Sequence, residues 1–141
     1  MSCAPTRRDL LKRVVPPLRA VGIRVSIFMD PIPKAMPLVL ATGAHRIELY
    51  TEPYAREFAT SQRDASLAQY AATARAAQQV GLGVNAGHDL NLDNLSPFLR
   101  AVPDVEEVSI GHALIADALE LGMSEAVRRY VAICQSQAGQ H

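Results

Sequence analysis

The 141-residue chain has no surplus of either charge: fourteen Lys and Arg side chains stand against fourteen Asp and Glu. A nucleic-acid groove or an anionic membrane surface needs excess basic side chains, so neither is expected as a partner. Long apolar runs are missing too. None approaches the roughly 20 residues that span a bilayer. Cysteine is scarce, and Cys3 and Cys134 form neither a metal-ligand spacing nor a disulfide framework, which fits a reducing cytoplasm. The chain also lacks His-x-His and His-Glu-x-x-His spacings. No metal is therefore expected, although Asp30, Glu48 and Asp89 are the carboxylates that could be grouped with histidines to hold one. With no linker and no low-complexity stretch, residues 1–141 read as a single domain, long enough to bury a core.

The segment Thr6-Arg7-Arg8-Asp9-Leu10-Leu11-Lys12 has the form of a twin-arginine export signal. Export requires an uncharged apolar stretch next, whereas Arg13, Pro16, Pro17, Arg19 and Arg24 follow. The segment reads instead as a helix turn capped by Thr6, with Asp9 three residues on.

What is present is a regular alternation of helix and strand with glycine at the joints. Thr6 to Ala20 predicts a helix with Leu10, Leu11, Val14, Val15 and Leu18 on one face, kinked or interrupted at Pro16 and Pro17. Ile23 to Met29 predicts a strand. Ile32 to Thr42 predicts a short helix disturbed by Pro37 and closed by Gly43; His45 to Tyr50 is the next strand. Ala65 to Val80 is the cleanest helix, stopped by Gly81, and Gly83 to Ala86 is a third strand. Asn91 caps a helix from Leu92 to Ala101, Glu107 to Ile110 is the fourth strand, and Ala113 to Leu121 is helical again. After Gly122, Ser124 caps a last helix to about Gln135, with frayed residues beyond. The expected fold is α/β: four βα units with parallel strands, (βα)4, which is half of a TIM-type (βα)8 barrel or a small open sheet.

Two strands end in the same way. Val84-Asn85-Ala86-Gly87-His88 and Val108-Ser109-Ile110-Gly111-His112 are apolar, β-prone runs that stop at a Gly-His pair, each with a helical pattern after it. Glycine permits a sharp turn or the close approach of a ligand, and the histidine then stands at a strand's C-terminal edge, where parallel α/β folds collect their chemistry. His88 and His112 are the leading acid–base candidates, with Asn85, Gly87 and Asp89 as polar, flexible neighbours of His88. Gly111 and His112 open a helix whose unpaired N–H groups suit a phosphate, with plain capping as the alternative. Glu48 faces either the barrel interior or the helices, according to its pleat position. His45 opens its strand at the opposite end and reads as structural. Tyr50-Thr51-Glu52-Pro53-Tyr54 is a rigid turn that either walls a pocket or packs as a loop.

On these residues the chain resembles the pyridoxine 5′-phosphate synthase family. The segments Val21 to Asp30, Ile47 to Ala55, Val84 to Leu90 and Ile110 to Ile115 are similar, in order, to that family's last four strands. The resemblance implies a barrel without metal or organic cofactor. It also implies two small phosphorylated substrates, 1-deoxy-D-xylulose 5-phosphate and 3-amino-2-oxopropyl phosphate, joined as the pyridine ring closes. It assigns His88 as proton donor and Asp89, Gly111 and His112 as contacts of the amino-ketone phosphate. Asp89 stands where many members have glycine. The family's first four strands have no counterpart here, so the expectation is a C-terminal half from a truncated or split reading frame, inactive alone and completed by a second copy or a partner half-barrel. The alternative is a non-catalytic half-barrel that binds phosphate or self-associates.

Overall fold

The computed structural model describes residues 7–138. Thr6, Cys3 and residues 139–141 lie outside the described residues, and the last helix runs to Ala138, past the end expected near Gln135. Four strands pair in sequence order into one all-parallel sheet: β1 (Ser26–Met29), β2 (Arg46–Tyr50), β3 (Gly83–Gly87) and β4 (Val105–Ser109). Around them run α1 (Arg7–Ala20), α2 (Met36–Leu40), α3 (Glu52–Glu57), α4 (Arg63–Gln79), α5 (Leu95–Ala101), α6 (His112–Leu121) and α7 (Met123–Ala138). Parallel strands need crossovers, and the helices supply them. This is (βα)4, half of a TIM-type barrel.

The two faces of the sheet differ sharply, and the pleat explains why. Ile27, Met29, Ile47, Leu49, Val84, Ala86 and Val108 turn one way and join the core with Tyr54, Tyr70, Leu95 and Phe98. Ala74 and Ala77 of α4 are fully buried there, because their short side chains let the helix lie close to the sheet. On the other, concave face stand Arg46, Glu48 and Asn85. Asn85 is buried and accepts from Arg46 Nη1 at 3.1 Å, while its Nδ2 donates to Glu107 at 3.0 Å. Arg24 closes the group with a 2.5 Å ion pair to Glu107, and Arg46 meets Glu106 at 2.7 Å. Asn85 therefore belongs to an ionic network at the N-terminal end of the sheet and is not a flexible neighbour of His88.

Several element boundaries differ from the sequence expectation, each for a local reason. The β3–β4 register shifts between Val84 and Asn85, so that Val84 pairs with Val105 and Asn85 with Glu107. Glu106 is the extra residue of a bulge. Val105 and Val108 thus share a face at a spacing of three, and the strand starts earlier than Glu107. Helix α1 runs unbroken through Pro16 and Pro17. The carbonyls of Lys12 and Arg13, which lose their intrahelical donors there, belong to exposed residues and can be hydrated. Pro37 sits in the first turn of α2, where a missing N–H costs little, and a 3-10 turn over Pro33–Ala35 precedes it. The Asn91 side chain accepts from the amides of Asp93 and Asn94, capping a turn before α5 and not the helix itself. Gly122, not Ser124, accepts the first hydrogen bond of α7, from Ala126.

Candidate active site

At the C-terminal edge of β3 and β4 lies a cavity of about 460 Å³, lined by Glu48, His88, Asp89, Ser109, Gly111 and His112 among others. His88, Asp89, Gly111 and His112, the four residues to which the resemblance gives roles, all line this one space, although His88 and His112 are 24 positions apart in sequence. The parallel order β3–β4 brings them together, because each follows the C-terminal end of its own strand.

The two Gly-His pairs are built differently. Gly87 has no left-handed backbone; a Cβ there would lie 2.6 Å from Glu48 Oε1 and 3.1 Å from Ser109 Cβ. Its bare backbone makes room for the Glu48 carboxylate. The sharp turn falls one residue later, at His88 (φ +81°) and Asp89 (φ +57°). Asp89 thus occupies a conformation that favours glycine and that Asp tolerates better than most residues. Asn94, almost fully buried, holds the turn's far side: its Nδ2 donates to Asp89 O at 3.1 Å and its Oδ1 accepts from Asn91 N at 2.8 Å. Leu90, 1% exposed, anchors the loop in the core.

Gly111, by contrast, is the N-cap of α6, and no side chain caps that end. The first helical bond runs from Ile115 N to Gly111 O at 3.1 Å, so the amides of His112, Ala113 and Leu114 precede it without intrahelical acceptors. They carry the positive end of the helix dipole, and Gly111, His112 and Ala113 line the cavity. A Cβ built on Gly111 meets nothing within 4 Å.

Sequence reasoning left Glu48 open, and the alternation of β2 could have placed it. Ile47 and Leu49 are fully buried against the helices, which sends Glu48 to the concave face with Arg46 and Tyr50. Phe28 and Tyr50 were not connected with His88. Their ring centroids lie 5.1 and 5.4 Å from the imidazole, in edge-on arrangements. The Tyr50–Tyr54 segment divides its roles: Tyr50 borders the concave face, while Thr51 and Tyr54 are fully buried. His45 has its structural task, accepting from Val25 N at 3.1 Å. Asp30, at the end of β1, is not part of this cavity's lining.

Residues 3–136 match the family model described as pyridoxal phosphate biosynthesis protein PdxJ. The chain belongs to this family. It is 60% identical over 127 residues to the pyridoxine 5′-phosphate synthase of Albidiferax ferrireducens, which covers 90% of this chain and 50% of that protein. It is 48% identical over 124 residues to the enzyme so named from Christiangramia forsetii (88% of this chain, 52% of the relative). With the Xanthomonas oryzae pv. oryzae protein of that name it shares 50% over 130 residues, which is 92% of this chain and 51% of the relative. The chain spans about half the length of the curated relatives it matches. Among the described residues no helix is long and apolar enough to cross a membrane.

Proposed function

We propose that this chain supplies the C-terminal half of the catalytic barrel of a pyridoxine 5′-phosphate synthase, working in the cytoplasm. On this reading His88 is the proton donor of the ring-closing condensation between 1-deoxy-D-xylulose 5-phosphate and 3-amino-2-oxopropyl phosphate. Asp89, Gly111 and His112 take the phosphate of the amino-ketone. The observation that carries the reading is the shared cavity: an imidazole and an uncapped helix N-terminus line the same space. Imidazole suits proton donation near neutral pH, and helix-terminal amides suit a phosphate. The Glu48 carboxylate lines the same cavity and gives it an acceptor for substrate hydroxyl or amino groups.

Ring closure needs several proton transfers together with loss of water and phosphate. Groups that act as a set lose most of their effect when divided. The isolated chain is therefore expected to form negligible product, with further strands supplying the remaining groups and covering the concave face. The test is co-expression of this chain with the N-terminal half of the Albidiferax ferrireducens relative in a pyridoxine auxotroph. Growth without pyridoxine is expected with the wild-type chain and not with His88→Ala. Absence of growth with both halves soluble, or equal growth with His88→Ala, would overturn the reading.

A further inference from the structure

Two consecutive residues with side chains, His88 and Asp89, stand in the left-handed region at φ +81° and +57°. Asp and His enter that region more readily than most residues, but as single residues, so two in succession call for support from outside the turn. Asn94 holds the Asp89 side, and the neighbour placed to hold the His88 side is Thr51. It is fully buried and lies one residue past the end of β2, where the ladder finishes at the Tyr50–Gly87 pair. Its N–H donates to Gly87 O at 2.9 Å. Its Oγ1 lies 2.6 Å from Gly87 O and 2.5 Å from His88 O, so a single hydroxyl proton is shared between two successive carbonyls. This carries the β2–β3 pairing one residue beyond the sheet, to the point where the chain changes direction. The imidazole then rests against Phe28 and Tyr50, from β1 and β2, whose own rings are 5.3 Å apart.

We propose that Thr51 is a positioning residue for His88: its hydroxyl locks the left-handed turn that seats the imidazole against Phe28 and Tyr50 at the cavity. The inference rests on the reading of His88 as proton donor, and it assigns a function to a buried side chain that touches neither cavity nor ligand. Thr51→Val keeps the shape and branching but has no proton to give. Thr51→Ser keeps the proton and drops only the methyl group.

The experiment is NMR of the full chain, with the His88 ring signals assigned by their loss in His88→Gln. In the wild type and Thr51→Ser, those signals should be displaced by the neighbouring ring currents and show cross-relaxation to Phe28 and Tyr50. In Thr51→Val both features should be lost, while signals of the core rings Tyr70 and Phe98 stay in place. Retention of both features in folded Thr51→Val would overturn the proposal. Should that variant not fold, the wild type decides. A slowly exchanging Thr51 hydroxyl proton close to the His88 backbone is expected, and its absence from the folded protein would overturn the proposal equally. The readout is the ring's position, so its failure is distinguishable from failure of the co-expression assay.

Discussion

Gly87 and Gly111 each precede a histidine, yet the space around them is opposite. A methyl group at Gly87 would run into the Glu48 carboxylate and also sit 3.3 Å from the Ser109 carbonyl oxygen, a backbone atom that cannot swing away. Gly87→Ala is expected to lower stability by about 1–3 kcal/mol, the usual range for overpacking, in urea unfolding. Gly111→Ala meets no steric obstacle and should cost only what a poorer N-cap costs, about 1 kcal/mol, in the same measurement. The repetition of Gly-His was visible in the sequence and pointed to two strand ends that line one cavity. The reason for each glycine was not, because it depends on Glu48 and Ser109, which reach Gly87 from neighbouring strands. The left-handed backbone at His88 was equally hidden, since its anchor, Thr51, is 37 residues away.

At the scale of elements, buried tyrosines fasten the helices. Tyr70 of α4 donates to the Tyr50 carbonyl at 2.5 Å, Tyr54 of α3 to the Asn94 carbonyl at 2.8 Å, and Tyr130 of α7 to Asp117 of α6 at 2.6 Å. Tyr70→Phe leaves the Tyr50 carbonyl without this donor and is expected to cost about 1 kcal/mol, measured by thermal or urea unfolding. Burial pushes the Tyr54 hydroxyl up to about 12 from its ordinary 10. Burial likewise raises Tyr70, and burial with the neighbouring Asp117 carboxylate raises Tyr130. A group raised in the folded state gives stability that is whole below its unfolded value and is lost as pH climbs through the folded one. Stability should therefore hold up to about pH 10 and fall between about 10 and 12, as checked by unfolding midpoints across that range. A flat profile there would contradict the burial of these rings. The order of the strands and of the longer helices was legible because its signals are local: apolar periodicity, alanine content, glycine stops; the short α3, where a turn was expected, was not. Nor was the early start of β4. The bulge at Glu106 breaks the alternation that marks a strand, and it exists only through pairing with β3.

For the whole molecule, the unpartnered sides of the sheet matter most. Among the described residues β1 and β4 have a strand neighbour on one side only, and Phe28 on the concave face is 49% exposed. Open edges of this kind invite pairing. The chain is expected to sediment as a dimer or larger species at micromolar concentration unless a partner half-barrel covers it; a well-folded monomer would contradict this. The (βα)4 architecture was legible as a whole because each unit repeats the same local pattern. The shared cavity was inferable only through that architecture, which alone sets the ends of β3 and β4 side by side. The central claim is that the amides opening α6 form a phosphate cradle beside His88. Titration of inorganic phosphate into isotope-labelled protein tests it most directly. Shifts concentrated at the amides of Gly111, His112 and Ala113 are predicted, with millimolar affinity, about −4 kcal/mol, weakened by Gly111→Val and much less by His88→Ala. If those amides stay fixed in demonstrably folded protein, the claim is wrong.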